Sequence, residues 1–434
     1  MTAADRKNET DMNANMERPI GIDISSEIGR LGAVLLHTPG AEVENMTPRN
    51  VQRALYSDIL NLSIAQKEYS QLYGVLSKVS RIYEVRPLLT RVLDRPRERE
   101  ELISRICRSE DAIPYYGKLM EMRSDELARV LIEGLPAEIN TLTAYMKNEY
   151  YALYPLYNFY FTRDAAVTHG DRVLVCRMAN KVRMRESVIM EAIYRNSGCF
   201  TCPVTDANTC HPADSPVTME GGDILIVKDD ILLLGNGIRT TTYGIDYMLE
   251  QVIRRHPEGE FNVIVQQLPH SPESFIHLDM VFTMLDVDRC MVFEPLILHS
   301  TQYQTVHIRI ADGKVISIRP EENILKALKK LGVDLKPVIC GGEDEWDQER
   351  EQWHSGANSF CIAPGQILTY ARNIHTLEEL DRDGFSIITA DDVISGTKEI
   401  EGRCAITIAG SELPRGGGGA RCMTMPLTRE AVRW

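Results

Sequence analysis

The chain has 434 residues and is acidic, with 62 Asp and Glu against 48 Lys and Arg and a formal net charge of −14 at pH 7. That balance argues against a nucleic-acid partner, because binding to phosphates depends on clustered Lys and Arg. Apolar residues make up 44% of the chain, enough for a large core or for a main domain with an insertion. No apolar run approaches the ~20 residues of a membrane span, so no membrane partner is expected.

The N-terminal segment is polar and lacks the apolar stretch of a secretory signal peptide. We interpret residues 1–20 as a disordered leader and residues 21–434 as the folded part of the chain. Without a signal peptide, the protein is expected in the cytoplasm. Its ten cysteines would there be reduced thiols rather than disulfides.

A strand pattern and then a helical pattern follow the leader. A short apolar strand at residues 31–37 ends at the turn residues Thr38, Pro39 and Gly40. From about residue 51 to residue 151 apolar residues recur at a spacing near 3.6, which predicts helices. Because strand patterns resume only afterwards, this range is predicted to be a helical subdomain inserted into an α/β chain.

After residue 151 one unit recurs, consisting of an Asp or Asn, an apolar strand, a tight turn and a second apolar strand. It begins at Asp164, Asp223, Asp279 and Asn358, with room for a helix between successive units. Together with the strand at residues 31–37, the pattern indicates about five repeats arranged around an axis. The predicted fold class is therefore α/β.

If the equivalent strand starts face the axis, these four side chains converge although they are far apart in the sequence. The alternative is that each one merely begins a strand and hydrogen-bonds its own backbone. Two neighbours favour a site: Glu220 comes shortly before Asp223, and His277 lies two residues before Asp279, on the same face of a strand. An isolated buried histidine is more often a core residue, but one beside a carboxylate is suited to acid–base catalysis.

Near the C-terminus four consecutive glycines, Gly416 to Gly419, precede Cys422. Glycine lets backbone N–H groups approach a ligand without a Cβ in the way. Such N–H groups and the adjacent Arg421 would both favour the thiolate form of Cys422, which is the nucleophilic form. A flexible tail with an incidental cysteine stays open as the alternative. A phosphate-binding loop is disfavoured, because no Gly-Lys-Ser/Thr follows the glycines.

The converging carboxylates match the chemistry of one ligand group. A guanidinium is planar and carries a fork of N–H donors that carboxylates bind in pairs. Arg183 and Arg239 follow the second strands of two units and would hold an anionic end of the same ligand. Surface salt bridges are the alternative for these two arginines.

One further segment has partial zinc-ligand spacing. Cys199 and Cys202 are followed by Cys210 and His211, but no second Cys-x-x-Cys or His pair accompanies them. The segment is also rich in the loop residues Pro, Asn and Asp. A metal site is therefore not expected there.

With these residues in view, the chain resembles the arginine deiminases of the guanidino-group-modifying superfamily. The resemblance runs from about residue 25 to the end of the chain, and its motifs are specific in combination. The matching stretches are residues 26–40, 158–164, 183–186, 219–223, 236–241, 277–279, 351–358, 370–373 and 411–423.

The resemblance implies a five-bladed pseudo-symmetric α/β propeller, with residues 21–434 as the catalytic domain and the helical insertion at about 51–151. It implies that Cys422 attacks the guanidinium carbon of L-arginine and expels ammonia. Water would then hydrolyse the covalent amidino-cysteine intermediate to L-citrulline. His277 would shuttle protons in both halves, and Glu220 would assist it or bind the guanidinium.

The same resemblance assigns the remaining residues to the substrate and implies no metal or organic cofactor. L-Arginine is the expected partner, while the oligomeric state, including a homo-oligomer, stays open. Asp164 and Asp279 would bind the guanidinium. Asn158, Arg183 and Arg239 would hold the amino-acid end of the substrate, and Phe161 and Asp223 would complete the site.

The chain departs from the family pattern at several places, including residues 67–69, where Lys-Glu-Tyr replaces a commoner Glu-His, and the loop from Cys199 to Cys210. Many members carry an arginine five residues before the cysteine, where this chain has Gly417, and Ala165 replaces the usual proline after Asp164. An amidinotransferase of the same superfamily, which would pass the amidino group to an amine, is the nearest alternative function. A non-catalytic arginine-binding protein is the other alternative, which the presence of Cys422 and His277 disfavours.

Overall fold

The structure is a computed structural model that describes residues 18–434 apart from 49, 50, 52, 148, 149, 213, 300 and 301. Of the leader expected at residues 1–20, residues 1–17 lie outside the described part of the chain. Within the described part, no helix is long and apolar enough to cross a membrane.

Five of the described sheets share one strand arrangement. In each, an antiparallel pair of strands is followed by a helical connection to a third strand, which pairs in parallel with the second strand of the pair. The first sheet consists of Met425–Arg429, Leu31–Leu36 and Arg81–Glu84, and the second of Ala166–His169, Arg172–Val175 and Val204–Asp206. The third consists of Ile224–Lys228, Ile231–Asn236 and Glu260–Gln267, and the fourth of Phe282–Asp286, Arg289–Val292 and Lys336–Ile339. The fifth consists of Phe360–Ala363, Gln366–Tyr370 and Cys404–Ile408. The four predicted strand–turn–strand units are confirmed as hairpins.

Helices make the connections, as parallel strands require. The third and fifth sheets also carry outer strands, Thr305–Ala311 with Lys314–Glu321 and Ser386–Thr389. The connecting helices are Ala41–Glu44 and Leu62–Val79; Met184–Asn196; Thr242–Arg255; Glu294–Ile297 and Ile324–Lys330; and Ile374–Arg382 and Ala390–Ser395. Helix Glu345–Trp353 links the fourth sheet to the fifth, and a short parallel pair joins Ile20–Gly21 to Phe200–Thr201.

The first of these sheets joins the two ends of the chain. Strand Met425–Arg429 pairs antiparallel with Leu31–Leu36, with Val34 opposite Pro426. The C-terminal strand is therefore the first strand of this sheet, although it comes last in the sequence. As a result, Cys422 lies just before the start of a first strand.

The range predicted to be helical, 51–151, is not wholly helical. It contains strand Arg81–Glu84, which pairs in parallel with Leu31–Leu36, so helix Leu62–Val79 is the crossover of the first sheet. Four residues are too few to distinguish a strand from a helical turn by apolar spacing. A small hairpin of Leu135–Pro136 with Tyr151–Leu153 closes the range. The helices between are Val85–Leu93, Pro96–Ser109, Tyr116–Glu121, Ser124–Glu133 and Leu142–Lys147.

These helices pack on the second sheet rather than standing apart from it. Leu89, Ile103 and Leu131 from three of them are buried in one apolar cluster with Ile189 and Ile193 of helix Met184–Asn196. Fully burying a side chain of this kind stabilises a fold by about 1.5–3 kcal/mol. The packing fixes the helices against the segment around residues 154–164, which leads into the candidate site.

Candidate active site

The candidate site is built where the five first strands begin. Asp164, Asp223, Asp279, Asn358 and Cys422 each precede a first strand by no more than three residues, and all five side chains are buried. The four Asx residues were predicted to converge. Asn358 and Asp279 contact Cys422 and Arg421, and Asp164 lines the same cavity as Cys422. Cys422 holds the fifth equivalent position.

Cys422 is almost fully buried and is surrounded by polar partners. The amide Nδ2 of Asn358 donates to its Sγ at 3.2 Å, while the Asn358 Oδ1 accepts from the backbone N–H groups of Arg421 and Cys422 at 3.0 and 3.3 Å. The nearer carboxylate oxygen of Asp279 lies 3.6 Å from Sγ. Asn358 thus positions both the sulfur and the turn that carries it.

Arg421 and a backbone hydrogen bond at Gly419 lower the pKa of the Cys422 thiol, as expected, but in the unliganded protein other effects outweigh them. Burial, with the charges of Asp279 and Asp164, raises the pKa of the Cys422 thiol well above its usual range. Arg421 does not bring the thiol pKa back down, because its positive charge is shared with two carboxylates. Its side chain is one of the largest that are fully buried, and it forms ion pairs with Glu27 and Asp279.

The pair of Arg421 with Glu27 was not anticipated from the sequence. Nε and Nη2 of Arg421 donate to the two carboxylate oxygens of Glu27 at 2.9 and 3.1 Å, and Nη1 donates to Asp279 Oδ2 at 2.7 Å. Burial opposes ionisation of Glu27, but Arg421 and Arg163 outweigh it and lower the Glu27 pKa to about 2. Asp279 is therefore held in place by the residue next to the nucleophile candidate.

His277 is buried between two carboxylates. Its Nε2 lies 3.0 Å from Glu220 Oε2, and its Nδ1 lies 3.7 Å from Asp164 Oδ1. Burial alone would lower the pKa of the ring, but the charge of Asp164 and the hydrogen bond to Glu220 raise it to about 9. The imidazole is therefore protonated at neutral pH.

Glu220 and Asp223 lie behind His277 and have opposite ionisation tendencies. Burial opposes the charge on Glu220, yet Arg239, at 3.7 Å, and the His277 hydrogen bond lower its pKa to about 2. Burial dominates at Asp223 and raises its pKa to about 6, while its Oδ1 accepts from the Leu278 N–H at 2.9 Å. Glu220 is thus the permanent anion that supports a charged His277.

Arg183, which was expected to hold the amino-acid end of the substrate, is paired with carboxylates of the site. Nη1 donates to Asp164 Oδ2 at 2.7 Å, while Nε and Nη2 donate to Glu186 at 2.8 to 3.1 Å. Nη2 also lies 3.3 Å from the carbonyl of Asn158. In the unliganded protein, Arg183 therefore binds a carboxylate expected to receive the guanidinium of a ligand.

Arg239 is better placed to receive an anion. Its Nε is buried without a hydrogen-bond partner among the described residues. Asn158 has its Nδ2 directed to the carbonyl of Ala54 at 2.7 Å, and Phe161 packs against the glycine run, where a Cβ on Gly418 would lie 2.5 Å from its ring. These contacts explain why Gly418 cannot carry a side chain without moving Phe161.

The cavity at the centre of these residues is small, about 20 Å³, so the structure is closed. Glu220, Asp223 and Asp279 are not among its lining residues and lie one layer behind them. The lining combines the nucleophile candidate, the histidine, one carboxylate, two arginines and apolar walls: Leu55, Asn158, Phe161, Asp164, Arg183, Arg239, Ile276, His277, Gly416, Gly417, Gly418 and Cys422.

One trio in the described part of the chain has the spacing of a metal site. Ligand atoms of Asp164, Glu220 and His277 lie within 4.8 Å of one another. The Arg183 guanidinium pairs with Asp164 at 2.7 Å and lies 3.8 Å from Glu220, so a positive charge already lies beside two of the three groups and the trio does not fit a divalent cation. Cys199, Cys202 and Cys210 are free thiols and form no such group with other described residues.

We expect Glu220→Gln to lower the pKa of His277 from about 9. Glu220 is ionised across this range, so its charge stabilises the imidazolium, and a neutral amide would remove that stabilisation. Titration of ¹³C-labelled histidine by NMR measures the change directly. An unchanged His277 pKa in the variant would show that Glu220 does not support the charged ring.

Comparison with known proteins identifies the family of this chain. The sequence profile of the family described as "Arginine deiminase" matches residues 52–429. The chain is 32% identical to the arginine deiminase of Listeria monocytogenes serovar 1/2a, over 96% of this chain and 100% of that protein. It is also 32% identical to the arginine deiminase of Staphylococcus aureus strain MRSA252, over 95% of this chain and 99% of that protein.

Two solved structures share the α/β fold at lower identity. A variant of the N-terminal domain of ArgZ, covalently bound to a reaction intermediate, matches with a TM-score of 0.51 and 14% identity, over 92% of this chain and 98% of that chain. The ternary complex of AgrE with ornithine and NAD⁺ matches with a TM-score of 0.52 and 15% identity, over 93% of this chain and 40% of that chain. With the profile and the relatives covering nearly its whole length, this chain belongs to the arginine deiminase family.

Proposed function

We propose that this protein hydrolyses L-arginine to L-citrulline and ammonia through a covalent amidino-cysteine intermediate. The observation that carries the proposal is the buried thiol of Cys422, which shares a small cavity with Asp164 and with His277, whose ring is paired with Glu220. The full-length relatives named arginine deiminase support the same activity.

Substrate binding would itself prepare the nucleophile. Asp164 Oδ1 is buried without a hydrogen-bond partner among the described residues, and Asp279 lies beside Cys422 Sγ, so both carboxylates suit a guanidinium placed between them. The guanidinium brings a positive charge next to the sulfur. That charge opposes the burial and the carboxylates that raise the thiol pKa, and so favours the thiolate.

In the first half of the reaction the Cys422 thiolate attacks the guanidinium carbon and forms a C–S bond. His277 is protonated and can donate a proton to the departing amino group, so that the C–N bond breaks and ammonia leaves. The neutral imidazole that results remains hydrogen-bonded to Glu220. The product of this half is the covalent intermediate on Cys422.

In the second half, water replaces ammonia in the space beside His277. The neutral imidazole accepts a proton from the water as its oxygen bonds to the same carbon, and the C–S bond then breaks. As the carbonyl of citrulline forms, the proton of its hydroxyl oxygen passes to the Cys422 sulfur and replaces the proton that the thiol released to solvent when the thiolate formed. Citrulline is released, and His277 keeps the proton that it took from water. All proton transfers are thereby assigned to side chains, substrate and water, so the proposed chemistry uses no cofactor.

The amino-acid end of the substrate would be bound by Arg239, Arg183 and Asn158. Arg239 has a free buried Nε for a carboxylate, whereas Arg183 must first leave Asp164. Glu186 can stay paired with Arg183 during that movement, because it binds the guanidinium through Nε and Nη2 rather than through Nη1. Phe161 forms the apolar wall along the side chain of the substrate, and Asp223 positions the backbone after His277.

The proposal extends to the architecture and the location of the protein. We propose that the five similar sheets are the blades of a pseudo-symmetric propeller and that residues 21–434 form one catalytic domain with a helical insertion. The common strand order of the five sheets supports this arrangement. A cytoplasmic location is also proposed, and it is supported by the ten cysteines, all of which are free thiols.

The test is a product assay with purified protein, L-arginine and no added amine. Equal amounts of citrulline and ammonia are expected. Release of ornithine, dependent on an added amine acceptor, would identify an amidinotransferase and contradict the proposal. Binding of arginine without any product would indicate the non-catalytic alternative.

The two arginines near the substrate end predict discrimination against agmatine, which has the guanidinium but no carboxylate. Leaving buried charged partners without a counter-charge costs about 2–5 kcal/mol. We therefore expect kcat/KM for agmatine to be at least about 30-fold below that for L-arginine. Both substrates should be compared on one preparation. Equal efficiencies would mean that Arg183 and Arg239 do not bind the carboxylate.

A further inference from the structure

A buried carboxylate on the crossover helix of the first sheet holds the segment that precedes the glycine run. Glu68 lies on helix Leu62–Val79 with its side chain buried. Its oxygens accept from the backbone N–H groups of Ser411, Glu412 and Leu413 at 2.6 to 3.2 Å, and from the Ser411 hydroxyl at 2.5 Å. Hydrogen bonds to an ionised acceptor are roughly twice as strong as neutral ones.

The same two segments are joined again at the beginning of the helix. The N–H of Asn61, the N-cap residue, donates to the carboxylate of Glu412 at 2.8 Å. The N–H and hydroxyl of Ser57 donate to the carbonyl of Arg415 at 3.2 and 3.0 Å. We call these contacts, together with those of Glu68, the anchor seam.

Both sides of the anchor seam continue into the lining of the active-site cavity. Leu55 comes just before its first segment, and Gly416 to Gly418 come just after its second. Gly418 lies so close to the nucleophile that a Cβ there would be 3.0 Å from the Cβ of Cys422. Because glycines have no side chains to hold them and lose much backbone freedom on ordering, the position of this wall depends on the contacts that precede it.

We propose that Glu68 is a positioning residue for the reaction of Cys422. Its carboxylate fixes the backbone of residues 411–413, and through the glycine run it keeps the cavity closed and the sulfur in place for attack. Without it, three N–H groups and a hydroxyl lose their acceptor and the seam opens. The inference rests on the function proposed for the cavity.

The test compares Glu68→Gln with a matched control on the same helix, Gln71→Ala. The glutamine keeps the size of the side chain, but its NH₂ group is a donor. It would replace an acceptor oxygen that faces the N–H and O–H donors of residues 411–413. Gln71 accepts from the Ala409 N–H at 2.7 Å and donates to Asp391 at 3.1 Å, so its loss removes contacts from the same helix to neighbouring segments outside the anchor seam. Measurements are kcat and KM for L-arginine, the rate of Cys422 alkylation by iodoacetamide, and Tm.

We expect Glu68→Gln to lower kcat by about 10-fold or more, since small displacements of reacting groups have large effects on rate. Alkylation of Cys422 should become faster by a similar factor, because the closed cavity opens. Gln71→Ala should keep kcat and the alkylation rate within about twofold of the wild type, whatever change in Tm it shows. This combination separates positioning from general stability.

Wild-type kcat and alkylation rate in Glu68→Gln would overturn the proposal, and so would equal losses in Gln71→Ala. If Glu68→Gln does not fold, Ser411→Ala carries the test, because it removes only the hydroxyl donor at 2.5 Å. Faster alkylation of Cys422 is expected there as well, and an unchanged rate would overturn the proposal. Alkylation does not require arginine turnover, so a failure of the proposed function would be seen separately, as absence of citrulline with the wild type.

Discussion

Replacing Cys422 by serine should lower kcat for L-arginine by at least about 10⁴-fold, the scale on which enzymes lose activity when their nucleophile is removed. A serine hydroxyl is far less acidic than a thiol, and the site offers no strong base to activate it, because His277 is protonated at neutral pH. Binding of L-arginine should persist, since the carboxylates and arginines of the site are untouched. Steady-state kinetics and calorimetric binding measure the two effects.

Cys202→Ser is the control for this change. Cys202 is a partly exposed free thiol in the segment with partial zinc-ligand spacing, outside the active-site lining. Its variant should keep wild-type turnover. Retained turnover in Cys422→Ser, or a comparable loss in Cys202→Ser, would remove Cys422 from the role of nucleophile.

Replacing His277 by alanine should lower kcat by about 10²–10⁴-fold, the usual contribution of a general acid–base. The ring is buried and positioned by Glu220 and Asp164, so no neighbouring side chain can take over its proton transfers. The fold should persist. Turnover of the variant at a normal rate would place the proton shuttle elsewhere.

The His277 pKa also predicts two pH effects. In the wild type, kcat should fall as pH rises through about 9, because the imidazolium needed to protonate the leaving amino group is lost. Since the folded pKa is raised above its ordinary value of 6.5, the folded protein binds more protons than the unfolded chain between these values. The stabilising contribution of His277 is therefore complete below pH 6.5 and is lost by about pH 9.

Denaturation curves at several pH values measure the stability effect. Relative to His277→Ala, the wild type should lose unfolding free energy over this pH window. His256→Ala is the matched control, because His256 is a partly buried ring that packs on Phe261, 5.0 Å between centroids, away from the site. It should leave kcat and its pH profile unchanged. Parallel stability curves for wild type and His277→Ala would contradict the raised pKa.

The sequence repeat predicted much of the fold because its signal is local. A polar residue, a strand, a turn and a second strand follow one another within a few positions, and each predicted unit is a hairpin in the structure. The sequence repeat did not show that Cys422 holds the same position before a first strand as the four Asx residues. Its strand, Met425–Arg429, pairs with Leu31–Leu36 from the other end of the chain, and no local pattern records such a pairing.

The partners of two arginines were also not visible in the sequence. Arg421 lowers the Cys422 pKa as expected, but its guanidinium also pairs with Glu27, 394 positions earlier in the chain, and no local pattern records that pairing. Arg183 pairs with Asp164 and Glu186, which are nearer in the sequence, yet its position after a strand does not show that both carboxylates reach it. Residue types predicted which chemistry the site contains, but the pairing of its charges in the unliganded protein depends on the fold.

The most direct test of the central claim is mass spectrometry of the protein quenched in acid during turnover of L-arginine. The proposed mechanism predicts that the peptide containing Cys422 gains the mass of arginine less one ammonia, and that the adduct disappears as citrulline accumulates. An adduct of the amidino group alone, with ornithine released, would indicate amidino transfer. Unmodified Cys422 throughout citrulline formation, or an adduct on another residue, would contradict covalent catalysis by this thiol.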